Sequence, residues 1–279
     1  MAEQIQIECH ESRRRFLRNM GLASIGMMAA PLLLTPRAEA GGLFPPPSPK
    51  EQQKVGDQAA QEILQKYKEV HDGRARHFDQ LGQRLVSALS LDDRRTWDFR
   101  FHVLDSKEVN AFALPGGNMF MYTGLYEKLT TDDALAAVTG HEMTHVRKQH
   151  WAKAYAKQQQ RETLLALGLT IFHASDATQS LAGLADGVLT LKYSRGEEAQ
   201  ADAGGLQNMV DADYNPEGMI QLFETLQQVS GNGGSVGGDF LSDHPLTSDR
   251  IKAAQKQIDQ LDKDHRFPAL TPLVYSRLA

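Results

Sequence analysis

The residues best suited to chemistry are His141-Glu142-Met143-Thr144-His145, an H-E-x-x-H pattern in a segment that reads as helix. Positions four apart on a helix lie about 40° apart round the axis and one turn along it, so both imidazoles can reach one ion. Glu142 stands about 100° round from His141, close enough to take a proton from a polarised water without being forced to ligate. Zinc lowers the pKa of such a water to about 7, and a neighbouring carboxylate then serves as general base in attack on a carbonyl.

A hydrolytic zinc site takes three protein ligands and leaves the fourth position open. The longer pattern H-E-x-x-H-x-x-G-x-x-H fails, because Lys148 and Trp151 occupy its glycine and third-histidine positions. On a continuous helix His150 lies about 180° round from His141, which predicts a surface or supporting ring and not a ligand. Glu198 and Asp202 offer a second pair at i and i+4. Glu198 is the candidate third ligand, with Glu197 as second choice, and Asp202 is placed to accept Nδ1–H from a ligating histidine and so fix its ring. Two carboxylates at this spacing commonly form only a solvated helix face; the upstream histidine pair reverses that balance.

Elements must be found that bring these groups together. Thr130 or Thr131 can cap a helix with Asp132 and Asp133 in its first turn, running to about Trp151. Upstream, helical patterns cover about 51–70 and 75–89, and strand patterns cover 97–104, 109–114 and 119–122. Pro115-Gly116-Gly117-Asn118 reads as a hairpin connection between the last two strands. Downstream, Ser175 to Thr178 offers capping side chains at a break, one helix is expected over about 181–210, and Asn215-Pro216 starts another, to about Val229. Gly231 to Gly238 is a flexible loop by composition, and a last helix runs from Ser248 to Leu261. The fold class is α+β, mostly helical, with a small sheet beside the active-site helix.

The first forty residues differ from the rest. Arg13-Arg14-Arg15-Phe16-Leu17-Arg18 precedes an apolar run from Met20 to Leu34 and the small residues of Ala38-Glu39-Ala40. The run is short of the ~20 residues that span a bilayer, and the pattern resembles a twin-arginine signal peptide cleaved near Ala40. The proline-rich stretch 41–49 follows as a spacer. Removing residues 1–40 takes away five arginines and four glutamates, so the formal charge moves from -5 to -6, and the lone cysteine, Cys9, goes too. A negative chain gives no electrostatic case for nucleic acid. With 41% hydrophobic and 23% charged residues the composition is that of a folded protein rather than a disordered or collagen-like one.

H-E-x-x-H at 141–145 followed by Y-S-R-x-x-E-x-x-A-D at 193–202 resembles the M48 family of zinc metallopeptidases. The likeness extends through Asn110 to Gly117, Tyr122 to Leu125, Tyr214-Asn215-Pro216 and Asp243 to Arg250, covering most of residues 50–262. The resemblance implies a zincin-like gluzincin domain over 50–262 with a tail at 263–279. It implies one zinc ion per chain held by His141, His145 and Glu198, with Glu142 as general base. A histidine in the position of His244 can approach the zinc in such proteins, so His244 is expected to fill the open metal position at rest or to stabilise the oxyanion. Arg250 is a further candidate stabiliser. Zincins commonly pair an extended peptide with an edge strand, and Asn110, Ala111, Phe112 and Ala113 are assigned to that edge.

The activity so implied is endoproteolysis by an exported, periplasmic enzyme acting on unfolded or misassembled envelope proteins. The alternative is a zinc-bound, non-catalytic holdase or adaptor on the same fold. Glu142 argues against it, since a binding module has no use for the base. Some family members carry a C-terminal tetratricopeptide array; the 263–279 tail has no room for one. No membrane span is expected after the signal segment.

Overall fold

The computed structural model describes residues 44–171, 184–189, 192–231, 238–262 and 267–273. The expected signal segment, the expected capping break at Ser175 to Thr178 and the centre of the expected Gly231 to Gly238 loop lie outside the described residues. The domain is mostly helical around a small sheet, a zincin-like arrangement.

Helix α1 (Pro49–Lys66) opens with a capping box in which Ser48 and Glu51 satisfy each other's exposed N–H groups, with proline at the first helical position. Helix α2 (Gly73–Ser87) is capped by Asp72, and α3 (Leu91–Thr96) by Ser90. The strands are β1 (Arg100–Leu104), β2 (Ala111–Ala113) and β3 (Asn118–Tyr122), in the order β1-β3-β2. The expected hairpin is the antiparallel β2–β3 pair, with Ala111 opposite Met121 and Ala113 opposite Met119. At its turn Gly116 and Gly117 have φ of +93° and +125°, a region that disfavours residues with a Cβ. A Cβ on Gly117 would also stand 2.6 Å from the carbonyl oxygen of Asp98. β1 pairs with β3 in parallel, a long-range choice that no local pattern in the sequence specifies.

After α4 (Thr123–Tyr126), helix α5 (Asp132–Arg147) carries the H-E-x-x-H residues and is buried almost throughout. Thr131 caps it, accepting from the N–H of Ala134. The expected continuation to Trp151 does not occur. The chain turns at Lys148 and Gln149, where Gln149 has φ of +56°, and a new helix, α6 (His150–Ile171), begins. Gln52 donates to the Gln149 side chain at 3.0 Å, and the turn lets Trp151 pack with Ala59, Ile63 and Phe112 in a core cluster separate from that of α5.

The single helix expected over 181–210 is also divided, into α7 (Leu184–Leu189) and α8 (Arg195–Asp211). Ser194 and Glu197 form a capping box that starts α8 afresh. Helices α9 (Glu217–Gly231), α10 (Gly238–Asp243) and α11 (Ser248–Asp262) complete the order. Residues 267–273 of the expected tail are packed on the domain. Asp132 N–H donates to the carbonyl of Thr271, Leu273 N–H donates to that of Thr130, and Leu273 is buried. Buried Asp133 accepts from the N–H groups of Asn215 and Thr271 at 2.7 and 2.6 Å. The start of the active-site helix is thereby tied to both α9 and the tail. No described helix is long and apolar enough to cross a membrane.

Candidate metal centre

The site exists because α5 and α8 cross backbone to backbone. A Cβ on Gly205 would lie 2.9 Å from the His141 nitrogen and 3.1 Å from the Gly140 carbonyl carbon. One on Gly204 would stand 2.5 Å from Thr144 Cγ2. Only glycine permits this approach, which sets Glu198 and Asp202 beside the face of α5 that carries His141 and His145.

His141, His145, Glu198 and His244 are all buried, and one potential ligand atom from each lies within 4.8 Å of the others. His145 Nε2 is 3.1 Å from His141 Nε2, and His244 Nδ1 is 3.3 Å from His141 Nε2 and 3.0 Å from Glu198 Oε1. Asp202 Oδ1 accepts from His141 Nδ1 at 3.0 Å, so the proton of that ring sits on Nδ1 and its Nε2 presents a lone pair. Glu197, the second choice for the ligand, is held instead in the α8 capping box, 2.7 Å from the Ser194 N–H.

Beneath the carboxylates lies Arg250. Its Nε and Nη2 each donate to Asp202 at 2.7 Å, a bidentate pair, and Nη1 is 2.8 Å from Glu198 Oε2. The last contact is an ion pair without hydrogen-bond alignment, since Glu198 Oε2 has no hydrogen-bond partner. Arg250 also donates to the carbonyls of His244 and Pro245 at 3.3 and 3.0 Å. Its guanidinium is therefore committed to two carboxylates and to the turn that carries His244. Burial raises the carboxyl pKa values of Glu198 and Asp202, but the hydrogen bonds and charges of His244, His141 and Arg250 outweigh it, and both end below their ordinary values.

Glu142 receives the N–H of Ala113 on Oε2 at 2.9 Å, while its Oε1 is buried without a hydrogen-bond partner, 3.4 Å from His244 Nε2. Burial pushes its carboxyl above the ordinary range. Burial and the facing rings of His141 and His244 hold His145 well below its usual value, hence neutral.

These groups fit a divalent cation. Glu142, Glu198 and Asp202 are buried together with Arg250 as their one permanently charged partner among the described residues, and buried carboxylate charge is costly unless compensated. Two imidazole nitrogens face each other, with the Glu198 oxygens 3.6 Å from His141 Nε2 and 3.5 Å from His145 Nε2, a mixed nitrogen and oxygen donor set. His141, His145 and Glu198 would hold the ion, with His244 in reach as a fourth donor.

The model of peptidase family M48 matches residues 72–258. The chain belongs to that family. It is 27% identical over 211 residues to the beta-barrel assembly-enhancing protease of Yersinia pestis, an alignment covering 72% of this chain and 42% of that protein. It is 31% identical over 179 residues to the mitochondrial metalloendopeptidase OMA1 of Saccharomyces cerevisiae, covering 62% and 50%. The Escherichia coli K12 beta-barrel assembly-enhancing protease is 29% identical over 195 residues, covering 66% and 39%. The chain thus spans half or less of the length of these relatives.

One ring of this M48 domain escaped the sequence reading, and another was left between two roles. Tyr193 stacks on His145 with ring centroids 4.1 Å apart. His150, expected as either a surface or a supporting ring, is fully buried with Nδ1 3.0 Å from His145 Nδ1, in a supporting position. On one continuous helix His150 would face away from His141, but the turn at Gln149 swings it back beneath α5. The pair Gly204-Gly205 was the overlooked signal: adjacent glycines inside a helical segment point to a close backbone approach. The other histidines lie apart from the cluster: His77 is paired with Tyr126 at 2.7 Å and His102 with Glu69 at 2.6 Å, while His173 and His265 lie outside the described residues.

Proposed function

We propose that this M48 domain is a zinc-dependent endopeptidase, with His141, His145 and Glu198 as ligands, Asp202 orienting His141, and Glu142 as general base. The observation that carries the reading is the bare, buried Oε1 of Glu142 beside the donor cluster, with Oε2 of the same carboxylate fixed by the β2 main chain. When bound, zinc supplies a Lewis acid that polarises the scissile carbonyl and acidifies a water. Glu142 Oε1 is free to take the proton of that water and to pass it to the leaving amine. The Ala113 N–H keeps the carboxylate from rotating during the transfer.

Peptide recognition is assigned to Asn110, Ala111, Phe112 and Ala113. Strand β2 is at one end of the sheet order. The carbonyl of Asn110 accepts from Tyr122 N–H and Leu114 N–H donates to the Asn118 carbonyl, so the intervening alternation turns the main chain of Ala111 and Ala113 away from β3. The Ala113 N–H is taken by Glu142, and peptide pairing is assigned to Ala111 and to the Ala113 carbonyl. Main-chain pairing along such an edge tolerates many side chains, which suits an enzyme for unfolded substrates. His244 is assigned to closing the metal site at rest, because its ring already stands within the donor set and Arg250 holds its carbonyl. Arg250 contributes as electrostatic support beneath the ligand carboxylate.

The arginine motif, the apolar run and the small residues near Ala40 support export, cleavage of the signal and a periplasmic location. Two of the relatives above are named for beta-barrel assembly, which supports unfolded or misassembled envelope proteins as substrates. The deciding experiment is digestion of casein by the mature chain and by Glu142→Gln, with zinc measured in both. The expected outcome is zinc in both and proteolysis by the wild type alone; equal proteolysis defeats the proposal. His244→Ala is expected to alter basal activity or zinc occupancy, and an unchanged value of both removes the assignment to resting closure.

A further inference from the structure

We infer that His150 is a positioning residue for His145, a neutral acceptor that fixes the ring tautomer leaving Nε2 free for the metal, and that Gln200 in turn fixes His150. The inference rests on the metal site proposed above.

The proton order follows from the amide oxygen of Gln200 that faces the outer nitrogen of His150. His150 Nδ1 and His145 Nδ1 are 3.0 Å apart, a distance at which one ring donates and the other accepts. His150 Nε2 lies 3.3 Å from Gln200 Oε1, and a carbonyl oxygen only accepts, so the His150 proton belongs on Nε2. His150 Nδ1 is then the acceptor and His145 Nδ1 the donor; His145 Nε2 and His141 Nε2, 3.1 Å apart, both present lone pairs, a contact that is repulsive unless a cation takes both. The reverse order would place a proton on His145 Nε2, inside the donor set. Tyr193 stacked on His145 restricts ring rotation and leaves the Nδ1 bond to choose the tautomer.

The partner is neutral for a reason visible in the charge of the site. His141 is already backed by a carboxylate, Asp202, which has the Arg250 guanidinium as its partner, whereas among the described residues no arginine or lysine is paired with the far side of His145. A second carboxylate behind His145 would leave a buried negative charge uncompensated. A histidine supplies the acceptor without the charge, and its other ring nitrogen lets Gln200, nearer solvent, set its orientation.

The test compares the full chain with His150→Leu, which lacks the acceptor, and His150→Gln, which retains one. Zinc affinity by chelator competition is expected to fall by about 10–100-fold in His150→Leu and to recover most of that loss in His150→Gln. Long-range ¹H–¹⁵N spectra of the zinc-loaded wild type are expected to show His150 bare at Nδ1 and protonated at Nε2. Thermal unfolding of the zinc-free proteins separates packing from positioning. Equal zinc affinity in all three, or a His150 proton on Nδ1, overturns the inference. So do variants that lose zinc-free stability together while holding zinc equally well. A wild type that holds no zinc shows instead that the metal site itself is wrong, and the positioning role falls with it.

Discussion

The two histidines of α5 stand one helical turn apart and are supported by opposite means. His141 leans on Asp202, which is locked by a bidentate guanidinium from Arg250, so charge supports it from a third helix. His145 leans on His150 and Gln200, a chain without formal charge that starts at a helix break. The charged side is strong only when complete, since removing one member strands its partner in a buried place. The neutral side has no charge to strand, so its loss is expected to cost less in folding. The contrast teaches that one site can combine rigid electrostatic support with support whose loss affects metal binding more than folding.

The largest expected effect comes from Asp202→Ala. It leaves the buried Arg250 guanidinium with Glu198 as its remaining carboxylate partner, and breaking a buried pair this way costs about 3–5 kcal/mol. Denaturant unfolding of the zinc-free variant measures it, and a loss no greater than that of His150→Leu breaks the comparison. Next is Gly205→Ala. Helix propensity favours alanine by about 1 kcal/mol, but its Cβ would meet the backbone of Gly140 and His141, and overpacking of this kind costs about 1–3 kcal/mol. We expect a net loss of stability and of zinc affinity; a more stable variant would show that the crossing has room. The smallest effect belongs to Ser194→Ala, which removes one cap at about 1 kcal/mol and loosens the first turn of α8, where Glu198 sits. Ser48→Ala removes the matching cap of α1 and is expected to cost about the same in stability without changing zinc affinity. Equal zinc affinity in both cap variants would mean that Glu198 is held by Arg250 and His244 alone.

Much of this was legible in the sequence because the chemistry is local. The i,i+4 spacing of His141 and His145 put them on one face, and Glu198 and Asp202 share another. The hairpin at Gly116-Gly117 followed from residues that must adopt positive φ. The readings that failed each assumed continuity. One helix was expected from Asp132 to Trp151 and another across 181–210, yet Gln149 and Ser194 interrupt them. Glutamine carries no bias toward positive φ, so nothing at 149 announces the turn. The packing of Trp151 into its own cluster favours it. At 194 the S-x-x-E pattern was present, a start signal within a segment read as uninterrupted.

The sequence by itself determined the kind of chemistry, since ligand types and helical spacing are properties of neighbouring residues. The tertiary structure decided which carboxylate turns inward, where Arg250 is committed and how His150 serves His145. Those choices depend on the Gly140–Gly205 crossing and on the break before α6, which bring together groups distant in the chain. Burial then sets their protonation, because a charge or a proton that water would tolerate anywhere must, inside the fold, have a specific partner.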